Sequence, residues 1–157
     1  MDFRRYIDDI SVLHIAECAG GVERYIQMLV PRLNSRGIRQ YFVCSKEYDV
    51  QGYSGFCDAT EQLDLSRTFN PISIIRTIHN VRTLIKKYRP NIVYCHSSYA
   101  GAFGRIAAIG LPCRVLYNPH GWAFKALSFS ELKRGVFLLA EILLSFFTDK
   151  IICISEA

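Results

Sequence analysis

The chain has 157 residues, of which 50% are hydrophobic and 21% charged, and it carries a formal net charge of +5. That is enough apolar chain for one packed core and too little for two ordinary domains, so residues 1–157 are expected to form a single domain and wholesale disorder is excluded. A charge of +5 is a weak pull toward anionic surfaces or phosphates, and without aromatic–basic interleaving it points to no nucleic-acid partner.

Met1 to Asp9 is charged and has no apolar stretch of the kind a secretory signal needs. Ile10–Ala16 (ISVLHIA) then reads as a β-rich run that breaks at Glu17-Cys18-Ala19-Gly20-Gly21. A helix is expected from Val22 to about Arg36, with Val22, Tyr25, Ile26, Leu29, Val30 and Leu33 on one face. Pro31 is expected to kink or loosen it, and Gly37 to stop it. Tyr41–Ser45 is the second strand, Lys46–Thr60 an irregular loop, and Glu61–Leu65 a short third strand. Asn70-Pro71 has the form of an N-cap followed by proline at the first helical position. The helix after it places Ile75, Ile78, Val81, Leu84 or Ile85, and Tyr88 inward, and Arg76, Arg82, Lys86 and Lys87 toward solvent.

Asn91–His96 is the fourth strand, Ser97–Gly110 a helix of small residues, and Cys113–Asn118 the fifth strand. A long apolar helix follows from about Ser130 to Phe147, then a last strand, Lys150–Ile154. Its most hydrophobic part, Gly135–Phe147, contains Glu141 and falls short of the ~20 residues a bilayer span takes. It reads as a buried or interface helix, in which Glu141 demands an inter-helix ion pair or a capping contact. Strands alternating with helices, the central strands apolar on both faces, predict a Rossmann-like parallel sheet with helices on both sides.

Cys44, Cys95, Cys113 and Cys153 lie in or beside strands, where a thiol packs as a small hydrophobe. No C-x-x-C pair occurs, so neither zinc nor dithiol redox chemistry is indicated. Reduced thiols and the lack of a signal fit a cytoplasmic location.

In open α/β sheets, ligands bind at the carboxyl ends of strands. Three polar clusters are expected there: Gly20-Gly21 with Glu23, His96-Ser97-Ser98, and His120-Gly121. Glycines before a helix N-terminus let backbone approach an anion, though a plain tight turn explains them equally. His120 either projects into the crevice, able to donate a hydrogen bond to a sugar hydroxyl, or bonds its own turn. His96 and His14 read as structural, and His79 as a solvated helix residue. Neither G-x-G-x-x-G nor a P-loop is present, which disfavours a nicotinamide or flavin oxidoreductase and excludes a P-loop nucleotide hydrolase.

Four segments in this order resemble the N-terminal domain of the family 4 retaining glycosyltransferases, which build bacterial capsule, exopolysaccharide and lipopolysaccharide chains. They are Gly20-Gly21-Val22-Glu23-Arg24-Tyr25, Arg89 to His96, Asn118-Pro119-His120-Gly121, and Thr148 to Glu156. Tyr94 and Asn91 depart mildly from the family pattern, which more often has histidine and aspartate there.

The resemblance implies the N-terminal lobe of a GT-B fold that works without metal or cofactor. Gly20 and Gly21 would lie by the donor diphosphate, with His120 and Gly121 at the transferred sugar and His120 the catalytic residue. Glu23, His96, Ser97, Ser98, Ser155 and Glu156 would line the acceptor-side crevice. The implied partners are a nucleotide-sugar and a glycan or polyprenyl-linked acceptor, with peripheral contact at the inner face of the plasma membrane. The family's second lobe carries an Arg/Lys pair and paired glutamates that grip the donor. No such motifs occur in the 157 residues, so the expectation is a domain inactive by itself. The alternative is a non-catalytic assembly module that pairs with a separately encoded second domain.

Overall fold

The computed structural model of the chain describes residues 10–18, 20–65 and 70–154. Among these residues, six strands form one sheet: β1 (Ser11–Ala16), β2 (Arg39–Ser45), β3 (Ala59–Leu63), β4 (Ile92–His96), β5 (Arg114–Asn118) and β6 (Lys150–Ile151). Every pairing is parallel, and the order is β3-β2-β1-β4-β5-β6. This is the doubly wound Rossmann-type order, whose direction reverses between β1 and β4.

The sheet is covered on both faces. Leu13, Ile15, Val43, Val93, Cys95, Val115 and Tyr117 form one buried layer under α2 (Pro71–Tyr88) and α3 (Ser98–Ala108). Ala16, Phe42 and Cys44 form the other, under Ile26 and Val30 of α1 (Gly21–Asn34). Alternate residues of one strand thus feed two cores, which is why the central strands carry little polarity. Each fully buried Ile, Leu or Val contributes about 1.5–3 kcal/mol to that packing.

Small residues bring α3 close to the sheet. A Cβ on Gly104 would run into Cys95 Sγ, and one on Gly101 into the Tyr117 ring. The turn before α2 forms as read, with Asn70 Oδ1 accepting from Ile72 N (3.0 Å) and Ser73 N (3.4 Å) and Pro71 in the first turn. All six cysteines are free thiols.

Several expectations are corrected. β3 lies two residues earlier than read, at Ala59–Leu63, because its register is set by pairing with Tyr41–Ser45 of β2. α1 continues past Pro31 and ends at Asn34, two residues short of the expected end near Arg36. On α2 the inward stripe is Ile74, Thr77, Ile78, Val81, Leu84, Ile85 and Tyr88, whereas Ile75 is exposed. Arg82 is not simply solvated: its Nη1 donates to the carbonyls of Ala107 (2.7 Å) and Ile109 (2.8 Å), capping the end of α3.

α4 (Glu131–Ser145), read as a buried or interface helix, is not buried within this chain, which leaves the interface alternative. Glu141 is its one buried residue, while Leu132, Val136, Leu139, Ile142 and Leu143 are exposed. Glu141 does find the inter-helix ion pair that was expected. Its Oε2 accepts from Arg105 Nη2 of α3 at 2.9 Å and its Oε1 from Tyr117 OH at 2.7 Å. Among the described residues, no helix is long and apolar enough to cross a membrane.

Candidate functional site

The loops after β1, β4 and β5 meet at the carboxyl ends of adjacent strands. After β1, Gly20 adopts φ +57°, a conformation that suits glycine, and no side chain caps α1. Its first backbone N–H groups and the positive end of the helix dipole therefore face an opening suited to an anion. After β4, Ser97 takes φ +77° and its hydroxyl donates to Glu17 Oε2 at 2.6 Å, tying the β4 loop to the β1 loop. After β5, His120 has φ +54°, held by its N–H donating to Asn118 Oδ1 at 3.0 Å. The Ser97 N–H donates to the Asn118 carbonyl at 3.0 Å and joins the second loop to the third.

Tyr25, one turn into α1, closes the arrangement. Its ring meets His120 edge-on at 4.9 Å and lies 5.8 Å from His96, and its hydroxyl is 2.9 Å from that of Tyr94. The loops carrying the glycine turn, Ser97 and His120 thus come together at the topological switch point, with His96 fully buried beneath them. Ser98 opens α3 beside the Tyr117 phenol, and Gly121 is exposed next to His120. Glu23 stands apart: it lines a hollow of about 250 Å³ with Tyr48, Tyr53 and Phe56, and accepts from Gln27 at 3.1 Å. Ser155 and Glu156 lie outside the described residues. A larger cavity of about 430 Å³, lined by Arg89, Pro90, Pro112 and Cys113, sits at the opposite ends of β4 and β5, away from where such sheets bind ligands.

Beneath the crevice runs a line of polar side chains. Gln40 of β2, His14 of β1 and His96 of β4 are fully buried. His14 Nε2 lies 3.2 Å from Gln40 Oε1, His14 Nδ1 3.3 Å from His96 Nε2, and His96 Nδ1 3.3 Å from His120 Nε2. Burial, outweighing the bond to Gln40, pulls the His14 pKa down to about 4. Burial, with His14 and His120 alongside, pulls His96 well below its ordinary value, and burial lowers His120. All three imidazoles are therefore neutral near pH 7. They bond in series rather than converging on a point, and the described residues contain no group of His, Cys, Asp and Glu arranged to hold a metal.

Sequence reasoning missed Glu17, Tyr25, Gln40 and Asn118 as members of the site and treated His14 as merely structural. The available signal was a polar residue in each of two otherwise apolar strands. Only the register, with Val12 opposite Gln40 and Ala16 opposite His96, puts them on one line.

The model of Glycosyltransferase Family 4 matches residues 19–157. The chain belongs to this family. It is 35% identical over 92 residues to an Escherichia coli UDP-Gal:alpha-D-GlcNAc-diphosphoundecaprenol alpha-1,3-galactosyltransferase, a match covering 57% of this chain and 23% of that protein. Its fold is similar to that of MurG from Acinetobacter baumannii (TM-score 0.67, 15% identity, covering 92% of this chain and 41% of MurG). It is likewise similar to a sucrose-phosphate synthase from Thermosynechococcus elongatus (TM-score 0.68, 17% identity, covering 90% and 41%). The family 4 chain thus spans less than half the length of each of these proteins.

Proposed function

We propose that this family 4 domain is the acceptor-side lobe of a glycosyltransferase. The enzyme would move a sugar from a nucleotide-sugar to a hydroxyl of a glycan or polyprenyl-linked acceptor, with retention of configuration. The observation that carries this reading is that Tyr25 and Glu17 tie the loops of the glycine turn, Ser97 and His120 together at the strand ends. The uncapped start of α1 suits a diphosphate, and the resemblance puts His120 and Gly121 at the transferred sugar. The E. coli relative's name specifies a UDP-sugar donor and a lipid-diphosphate acceptor, which supports work at the cytoplasmic face of a membrane on a bacterial surface glycan.

The polar groups of the crevice are neutral imidazoles, hydroxyls and the Glu17 carboxylate. None of these neutralises a leaving nucleoside diphosphate, a task that dominates such catalysis. A second lobe is therefore part of the proposal, and this lobe by itself is inactive. In a radiolabel transfer assay, the 157-residue chain is expected to show no turnover, and a chain joining it to a family 4 donor lobe to be active. His120→Ala in that longer chain should lower kcat by about 10²-fold, the scale of losing one donor-sugar contact that tightens in the transition state. Turnover by the short chain, or full activity without His120, contradicts the reading. A second reading, an assembly module for a separate chain, draws on the exposed apolar row of α4. Stable co-purification with a second polypeptide and no effect of His120→Ala on transfer would favour it.

A further inference from the structure

The line Gln40–His14–His96–His120 has a direction, and the direction can be read from its buried end. Gln40 Nε2 lies 2.9 Å from the Val30 carbonyl and 3.4 Å from that of Phe56. Both are acceptors, so the amide nitrogen must face them and Oε1 must face His14. An amide oxygen only accepts, so His14 Nε2 carries the proton and His14 Nδ1 is a lone pair. His96 Nε2, 3.3 Å away, must then donate to it, which leaves His96 Nδ1 as a lone pair. His120 Nε2, 3.3 Å from that atom, donates in turn. Reversing the line would turn Gln40 Oε1 onto two carbonyl oxygens, a repulsive arrangement in a fully buried site. Because the line ends on a carboxamide, which cannot release a proton, it holds a state rather than relaying protons.

What remains at the other end is His120 Nδ1, a lone pair that is buried and has no hydrogen-bond partner among the described residues. We propose that Gln40 and His14 are positioning residues which, through His96, hold His120 in the tautomer whose Nδ1 is a hydrogen-bond acceptor. Resting on the reading that His120 meets the transferred sugar, this assigns His120 a hydroxyl as its partner. A sugar hydroxyl has a proton to give, whereas a phosphate oxygen at neutral pH has none. The imidazole then receives a hydrogen bond from the sugar rather than donating one.

The test is the protonation pattern of the rings, read without substrate by long-range proton–nitrogen NMR on the histidine-labelled 157-residue chain. The expected spectrum shows His14, His96 and His120 each protonated at Nε2. It also shows scalar couplings across the two N–H···N bonds that join them. In Gln40→Met, which keeps the length but accepts only weakly through sulfur, the His120 Nδ1 signal should move partway toward its protonated position while the backbone spectrum keeps its dispersion. Protonation of His120 at Nδ1 in the unaltered chain overturns the proposal. So does the absence of both couplings, or an unchanged His120 in a folded Gln40→Met. Should Gln40→Met not fold, the pattern and couplings of the unaltered chain decide alone. Failure of sugar transfer would count against the functional reading and leave this result standing, so the two fail separately.

Discussion

Replacing Glu141 by leucine is expected to destabilise the domain by about 3–5 kcal/mol, the scale of leaving a buried charge unpaired. Arg105 is fully enclosed, its side chain 0% exposed against 9% for Glu141. Its guanidinium lies 3.9 Å from the centre of the Tyr117 ring and its Nε donates to the Gly101 carbonyl at 3.0 Å. One of its nitrogens, Nη1, already has no partner among the described residues. Removing Glu141 strips Nη2 and the Tyr117 hydroxyl of their acceptor at the same time. The double change Arg105→Met with Glu141→Leu should recover most of the loss, since packed apolar side chains of similar volume replace a buried pair at little or no cost. Urea unfolding measures both effects as shifts in midpoint at constant slope. A single change costing under about 1 kcal/mol would mean that water reaches Arg105 and that the pair is not buried as described.

The second large effect is a loss of stability in mild acid. The unfolded chain protonates its histidines near the ordinary value of 6.5, while folded His14 does so only near 4. His96 and His120 are displaced in the same direction by burial. Between those pH values the unfolded state binds more protons, so stability is full above pH 6.5 and falls as pH drops toward 4. At pH 5, His14 alone accounts for about 2 kcal/mol, or roughly 4–8 °C in thermal midpoint for a chain of this size. His96 and His120 add to it. The slope should vanish between about pH 7 and 8, above the histidine range and below that of the buried thiols. A thermal midpoint that stays flat from pH 7.5 to 5 would show that the three rings are not buried and neutral. Glu61 and Asp149, whose carboxyls are held below the ordinary range by Lys87 and by the Val115 N–H respectively, lose their contribution only as pH falls through the ordinary carboxylate range, so they add little between pH 7.5 and 5.

Much of the fold was legible because its signals are local. Asn70-Pro71 starts a helix by its own capping chemistry, and apolar runs such as Ile92–Cys95 are strands buried on both faces whatever their neighbours. Glu141 announced a partner because a carboxylate inside an apolar helix must have one. The strand-end placement of Gly20, His96 and His120 followed from the alternation of elements. What was not legible depends on register and on surfaces. Gln40 and His14 are 26 positions apart, and only the β1–β2 pairing makes them neighbours. β3 was misplaced by two residues because Ala59-Thr60 has little apolar character and takes its strand form from β2. For α4 the sequence left a buried and an interface helix both open, because hydrophobicity reports what a helix is able to bury, not what lies against it. On α2, the spacing leaves both Ile74 and Ile75 plausible, and only the packing against the sheet selects Ile74.

On the proposed function, the strand ends of β1, β4 and β5 receive the nucleotide-sugar. Backbone and histidine-ring NMR shifts of the 157-residue chain, followed during titration with millimolar UDP-galactose, report on this contact. The expected result is weak, saturable perturbation confined to Gly20–Gly21, Ser97, His120 and Gly121, with the Arg89–Pro90 and Pro112 end of the sheet silent. Saturable shifts that gather at that opposite end, or none at the three strand-end loops, would mean that the donor does not bind at the strand ends.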